Sequence, residues 1–402
     1  MNLTEEQRAV VAARDSRILV NAYAGTGKTE TTAHRVASLR AEKRPVLLLC
    51  FTRAAQSQLE ARLASMGVNA KVRTMHAFSH EIVRRWYDRN GAIMPDLVGD
   101  ITLRRIVQSA GFNPTASNVE AIRRAATFVA NGMTTGFPQS SEFDGKAARM
   151  LVEKYVSEKT RLNKVDYDDL ITLATEIVGP WHGEIVVDEA QDLSNLQLRL
   201  IDALIGDDTT VTWVGDRWQS IYGFAGVDAD LFRKRNEWAQ YTLTRSFRSS
   251  REVLTVANQL IPDEIRSDLI GGQVEVRRKT TDETTVELVD WAQGNDAILA
   301  RTNRELQNIA NVFSYEKKPY VFSAYSASDA LPKSKATVLS TVHAAKGLEW
   351  DRVAVVGLNG RSFGAFDASA EEARLFYVSA TRAKREMTLF TQDGDLPFEV
   401  AA

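Results

Sequence analysis

Eight residues, Ala22-Tyr23-Ala24-Gly25-Thr26-Gly27-Lys28-Thr29, carry the parts needed to grip a polyphosphate. Backbone N–H groups at the start of a helix attract phosphate oxygens, and small residues let the chain approach them closely. Ala24, Gly25, Thr26 and Gly27 supply that backbone, Lys28 puts a point charge against the terminal phosphates, and the Thr29 hydroxyl suits a Mg²⁺ ion. Far downstream, Val186-Val187-Asp188-Glu189-Ala190-Gln191-Asp192 sets two adjacent carboxylates after an apolar run. Asp188 can hold the metal through its water shell, and Glu189 can take the proton from an attacking water. A glycine-rich turn alone would be a weak signal. The two stretches together read as nucleoside triphosphate hydrolysis with ATP and Mg²⁺ as cofactors.

Both stretches need strands to aim them. Arg17-Ile18-Leu19-Val20 reads as a short buried strand before the loop, and Thr29 onward reads as a helix. Glu184-Ile185-Val186-Val187 is a second apolar strand, delivering its carboxylates at the end where ligands gather in a parallel sheet. Further strands are expected at 46–51, 71–74 and 210–214, and in the second half at 285–290, 296–301, 337–341, 352–357 and 387–391. Alternation of such strands with amphipathic helices argues for an α/β fold of parallel sheets. Residues 86–165 turn helical, with amphipathic stretches near 118–131 and 144–162, and read as an insertion between strands of the first sheet. That insertion carries 11 Lys/Arg against 8 Asp/Glu, a small excess best matched by a solvated helical face.

The 402 residues, 44% hydrophobic and 25% charged, suit a globular protein of two or three domains. No apolar run approaches the ~20 residues that span a bilayer and no secretory leader is visible, so a cytoplasmic protein with no membrane partner is expected. The single cysteine, Cys50, leaves no internal disulfide and no cysteine-based metal site, and reads as a small core residue. A net charge of −2 says nothing for or against nucleic acid.

Read in order, further motifs make the chain resemble the superfamily 1 helicases of the UvrD/Rep/PcrA type over nearly its whole length. Leu3-Thr4-Glu5-Glu6-Gln7 is similar to the family's Q motif, which implies that Gln7 reads the adenine edge. Phe51-Thr52-Arg53-Ala54-Ala55 and Thr74-Met75-His76-Ala77-Phe78 resemble the motifs that hold single-stranded DNA, implicating Phe51, Thr52, Arg53, Thr74 and His76. Asp166-Tyr167-Asp168-Asp169-Leu170 resembles the family's acidic return into the first domain, and its carboxylates read as helix caps. Val214 to Phe224 resembles the motif coupling nucleotide to DNA. There Gln219 would sense the γ-phosphate, while Tyr222 and Phe224 offer faces for bases to stack on.

In the second half, Leu243-Thr244-Arg245-Ser246-Phe247-Arg248-Ser249 implies that Phe247 packs on adenine and Arg248 meets the γ-phosphate. Thr341 to Trp350 resembles the next motif, with His343 near the DNA backbone and Glu349 near the ribose. Glu372 to Ala383 is similar to the last, which supplies Arg382. Arginines from a second domain make physical sense, because phosphoryl transfer spreads negative charge over oxygens that a guanidinium stabilises.

Four residues depart from the family pattern: Glu30 replaces an arginine, Tyr23 a glycine, Trp218 a small acidic residue and Ala225 an arginine. The relatives' large insertion between Asn303 and Thr341 has no room, as only about three dozen residues lie there. With 20 residues after Arg382, a fused nuclease or long tail is not expected either. The resemblance therefore implies two RecA-like P-loop domains, at 1–85 with 166–241 and at 242–402, with a helical insertion at 86–165. It implies an ATP-dependent DNA helicase moving 3′-to-5′ on single-stranded DNA and acting at duplex junctions. Protein partners stay open. A translocase that strips proteins without efficient unwinding, and a non-hydrolysing ATP-gated clamp, are the alternatives.

Overall fold

The computed structural model describes residues 3–133, 142–223, 226–228, 230–323, 335–358 and 370–391. In the first half, strands β1 (Arg17–Ala22), β2 (Val46–Cys50) and β3 (Val72–Thr74) precede two short ones, β4 (Asp96–Leu97) and β5 (Lys164–Val165). Then follow β6 (Gly183–Asp188), β7 (Thr209–Gly215) and β8 (Ala239–Leu243). The second half opens with short β9 (Arg245–Ser246) and β10 (Arg266–Ser267) before β11 (Gln273–Arg278), β12 (Ala297–Ala300) and β13 (Tyr320–Ser323). It closes with β14 (Thr337–Thr341), β15 (Trp350–Leu358) and β16 (Ala383–Thr391).

Six strands form the first sheet, in the order β3-β2-β6-β7-β1-β8, and six the second, in the order β11-β16-β15-β12-β14-β13. Every pairing in both is parallel. Parallel strands need long crossovers, so helices cover both faces and the inner strands read as unbroken apolar runs. Leu47–Cys50, Ile185–Val187 and Ala297–Ala300 are such runs, and all are buried. In the first sheet β7 separates β1 from β6, so the loops after β1, β7 and β6 emerge side by side on one edge.

A buried ion pair fixes the helix Lys28–Ala41 that follows the phosphate loop. Arg35, 1% exposed, donates from Nη2 to Glu184 Oε1 at 2.8 Å and from Nε to Thr212 Oγ1 at 2.9 Å. Its Nη1 donates to the carbonyls of Val10 and Ala13, tying in the first helix, Glu5–Ala12. Replacing Arg35 by methionine leaves Glu184 buried with only the partly exposed Arg44, 3.7 Å away, to offset its charge, and is expected to cost ~3–5 kcal/mol of stability in urea unfolding. Burial alone would raise the Glu184 carboxyl, but Arg35 and the Thr210 and Thr212 hydroxyls hold it below the usual range. The stabilisation is therefore full above the unfolded-state value and is lost as pH falls through the lower folded one.

Helices Asp100–Ser109, Ala116–Ala130 and Gly145–Arg161 enclose a core of their own, with Leu103, Ile106, Ile122, Leu151 and Tyr155 at its centre. Paired β4 and β5 close this insertion. Asp166 then caps the helix Tyr167–Ile177 reciprocally with Asp169, and Lys159 bonds both carboxylates.

Two features differ from expectation. Residues 285–290 lie in the helix Thr281–Trp291, not in a strand. Their β-branched side chains favoured a strand, but the Thr280–Glu283 capping box and burial of Thr284, Thr285, Leu288 and Trp291 at helical spacing prevail. Strands β8, β11 and β13, not anticipated, lie on sheet edges and are largely half-buried, so no continuous apolar run is needed. Between β12 and β14 the described chain forms only the helix Asn303–Tyr315 and β13. Cys50 is buried, its Sγ donating to the carbonyls of Thr52 and Arg73, and burial with the nearby Asp188 charge pushes its thiol up to about 12. Among the described residues no helix is long and apolar enough to cross a membrane.

Candidate nucleotide site and interlobe seam

The phosphate loop leaves β1 at Ala22 and turns through Gly25 and Gly27 at φ of +75° and +79°, a left-handed backbone that favours glycine. Gly25 is constrained twice over, since a Cβ there would stand 2.5 Å from Ser246 Oγ and 2.6 Å from Arg248 Cβ. Both belong to the second half of the chain. The loop borders a cavity of about 830 Å³, lined from the first lobe by Ala24, Gly25, Gly27, Lys28, Thr29, Glu189 and Gln219. From the second lobe come Phe247, Arg248, Glu349, Arg382 and Lys384.

Two expected nucleotide contacts sit behind this wall. Thr26 is buried, its hydroxyl donating to Tyr23 O at 2.7 Å. Gln7 is buried too, its amide nitrogen donating to Thr26 O at 3.0 Å and its oxygen accepting from Thr4 N at 2.9 Å. It braces the loop from the rear and does not line the cavity.

At the end of β6 the chain bends sharply, with Glu189 at φ +57° and ψ +38°. A non-glycine residue held there costs ~1–3 kcal/mol and is found where a site over-determines it. Glu189 Oε2 accepts from Lys28 Nζ at 2.7 Å and from Gln191 Nε2 at 2.7 Å. Burial would raise the Glu189 carboxyl, but Lys28 and Lys346 outweigh it and hold it down. Burial, reinforced by the Glu189 charge, drives neighbouring Asp188 up. Asp188 Oδ1 is buried with no hydrogen-bond partner among the described residues. That orphaned oxygen, with Thr29 on the cavity wall, fits a divalent cation. Among the described residues no cluster of three or more acidic, histidine or cysteine side chains is placed to hold a metal ion.

The opposite wall is cationic. Arg248 Nε lies 2.5 Å from Glu349 Oε2, and Lys384 Nζ 2.8 Å from Glu349 Oε1. Arg382 is buried, donating to Val378 O at 2.9 Å, Leu348 O at 3.0 Å and, across the seam, Gln219 Oε1 at 3.5 Å. Phe247 stays partly exposed, with Arg245 5.6 Å from its ring centroid, and its N–H donates to Gly25 O at 2.8 Å.

Tyr377, Asp216, Lys346 and Asp192, to which the sequence alone assigns no role, join these walls. Tyr377 OH donates to Asp216 Oδ2 at 3.0 Å and accepts from Ala24 N at 3.1 Å, and Gln219 Nε2 donates to the same Asp216 oxygen at 2.8 Å. Lys346 Nζ bonds both Asp192 oxygens and Gln219 O, each at 2.6 Å. The motif strings contained all of these residues, but no spacing rule paired them across the seam.

A second cavity of about 440 Å³ adjoins the first and shares Glu189 and Gln219 with it. Phe51, Thr52, Arg53, Tyr222, His343 and Lys346 line it. The Phe51 and Tyr222 rings lie 6.0 Å apart at 29°, and Tyr222 and His343 6.4 Å apart at 43°. Lys346 Nζ sits 4.7 Å from the Tyr222 centroid. Burial first, then the Arg301 charge, push His343 down to about 4, so it is neutral at physiological pH. Thr52 and Thr74 cap helices, accepting from Ala55 N and Ala77 N. Thr74 and His76 lie outside this cavity, His76 packing edge-on against Tyr167 at 5.4 Å. Phe224 and Ala225 lie outside the described residues.

Comparison with known proteins matches residues 3–240 to the UvrD/REP helicase N-terminal domain and 323–393 to the UvrD-like helicase C-terminal domain. A probable DNA helicase of Mycoplasma pneumoniae is 27% identical, over 96% of this chain and 83% of that protein. DNA helicase IV of Escherichia coli is 26% identical over 98% of this chain and 69% of its own length. The ATP-dependent DNA helicase UvrD2 of Mycobacterium tuberculosis is 29% identical over 64% of this chain, and the match spans under half, 43%, of that relative. Since the first of these domains alone accounts for more than half the residues, and the second falls on the other sheet, the chain belongs to the UvrD/REP helicase family.

Proposed function

We propose that this protein hydrolyses ATP between its lobes to move along single-stranded DNA, 3′-to-5′, and to separate strands at duplex junctions. One observation carries the reading: Lys28, Glu189 and Gln219 share a single cavity with Arg248 and Arg382 from the opposite lobe. We take the lobes to be 1–85 with 166–241 and 242–402, and the helical insertion to be 86–165. Glu189 accepts the proton of a water whose oxygen bonds the γ-phosphorus; the bond from that phosphorus to the bridging oxygen breaks, releasing ADP and phosphate. Lys28, Arg248 and Arg382 offset the charge that develops on the phosphoryl oxygens. Lys28 must exchange Glu189 for phosphate when ATP enters, which frees the carboxylate at that moment. Asp188 and Thr29 would hold Mg²⁺, which would supply charge neutralisation for the phosphates. Phe247 would pack on the base and Glu349 face the ribose, while Ala24, Gly25 and Gly27 would cradle the phosphates, braced from behind by Thr26 and Gln7.

Gln219 and Lys346 link fuel to track, since Lys346 touches Gln219, Asp192 and the Tyr222 ring together. Bases stacking on Phe51 and Tyr222, flanked by Thr52, Arg53 and His343, would feel a shift at the γ-phosphate through that lysine. Replacing Tyr222 by alanine is expected to weaken binding of an oligo-dT strand by ~1–3 kcal/mol in a fluorescence anisotropy titration. The reading as a whole is tested by ATP hydrolysis with and without single-stranded DNA. Stimulation by DNA supports it; hydrolysis indifferent to DNA sinks it.

A second reading, translocation that displaces bound proteins without efficient unwinding, is favoured by the single helix and edge strand that the described residues form between β12 and β14. Strand displacement on a 3′-tailed duplex, run beside translocation along an unpaired strand, separates the two.

A further inference from the structure

Tyr23 stands in the phosphate loop where the resembling family has glycine. Its ring is 1% exposed and belongs to a core drawn from both lobes. It inserts among Ile221, Val253, Ala257, Ile261 and Ile265, in the core that also holds β12, β14 and β15 of the second sheet. Its hydroxyl donates to Asp263 Oδ2, and the Arg217 guanidinium of the first lobe approaches the same carboxylate to 4.0 Å. The two residues that follow are held from the same side: Ala24 N by the Tyr377 hydroxyl, and Gly25 O by Phe247 N. Three consecutive residues of the loop are thus fastened to the lobe that carries Arg248 and Arg382.

We infer that Tyr23 is a positioning residue, one that ties the geometry of the phosphate loop to closure of the lobes. This rests on the reading of the cavity as an ATP site. When the second lobe swings away, the Tyr23 ring must leave an apolar core or drag the loop with it. The loop consequently takes its phosphate-binding shape only with the seam shut, and the open form holds nucleotide weakly. Tyr23 touches no phosphate in this scheme. It acts by setting the fraction of molecules whose loop and arginines face the ligand together.

The probe is a fluorescent N-methylanthraniloyl ADP with Mg²⁺, bound to the full chain, beside steady-state ATP hydrolysis. Tyr23→Gly lowers the closed fraction and is expected to weaken binding about tenfold and raise KM alike, with kcat changed less than about twofold, as a population shift requires. Tyr23→Phe keeps the packing and loses the bond to Asp263, and is expected to weaken binding about threefold on the same arithmetic. Asp263→Ala should match Tyr23→Phe in the parent protein and add nothing to Tyr23→Phe, the non-additivity of partners in one bond. That pair of milder variants carries the test if Tyr23→Gly fails to fold. Unchanged binding in Tyr23→Phe and Asp263→Ala, additive effects of the two, or a fall in kcat at constant KM each overturns the proposal. Binding needs no turnover, so a parent protein that binds the probe but never hydrolyses ATP would sink the motor reading and leave this one standing.

Discussion

Replacing Arg382 with alanine is expected to slow ATP turnover by about 10³- to 10⁵-fold, the range over which an arginine aimed at a transferring phosphoryl group acts. Arg382 lines the cavity from the second lobe and touches Gln219 across it. Burial and the neighbouring Arg248 charge both disfavour its protonated form, so the site pays to keep a cation where phosphate is to arrive. The guanidinium also bonds the Leu348 and Val378 carbonyls, and its loss strips partners from the Thr341–Trp350 segment and the helix Ala370–Ala380. A thermal melt separates that effect from chemistry. Arg382→Lys keeps a charge but cannot make the forked contacts, and is expected to recover fold stability better than rate. Turnover in Arg382→Ala within tenfold of the parent would remove this residue from the reaction.

Glu189→Gln is expected to lower turnover by about 10²- to 10⁴-fold, the worth of a positioned general base. The glutamine fills the same space and can still accept from Lys28, so nucleotide binding should persist while hydrolysis stops. That split is the sign of a lost proton acceptor and not of a collapsed pocket. Lys28 and Lys346 hold the Glu189 carboxyl low in the absence of ligand, so it stays ionised through the neutral range and its role fades only as acid protonates it. Single-turnover hydrolysis beside binding of a fluorescent nucleotide makes the comparison. Parent-like rates in Glu189→Gln would require another base.

The central strands were legible because a parallel strand buried on both faces must be an unbroken apolar run. Ile185-Val186-Val187 and Ala297-Ile298-Leu299-Ala300 could scarcely be anything else. Edge strands β8, β11 and β13 lack that constraint, and residues 285–290 read as a strand by propensity while capping and burial make them a helix. At the cavity, the loop and the carboxylates announced themselves by local spacing. The joints between lobes did not, since Lys346 and Asp192 are 154 residues apart and Tyr377 and Ala24 are 353 apart. No periodicity encodes such pairs. Only the chain's three-dimensional path brings them together, and it also turned Gln7 away from the cavity toward the loop carbonyl.

Cys50 gives the molecule an experimental advantage. Its thiol is buried at the end of inner strand β2, occupied with two carbonyls and pushed far toward the protonated form, so a maleimide at neutral pH should find almost no thiolate to react with. The native chain is therefore expected to stay silent toward sulfhydryl dyes, which a maleimide labelling assay on the parent protein checks. One engineered surface cysteine per lobe can carry a donor and an acceptor fluorophore, and the opening and shutting of single molecules can be watched without first deleting a native residue.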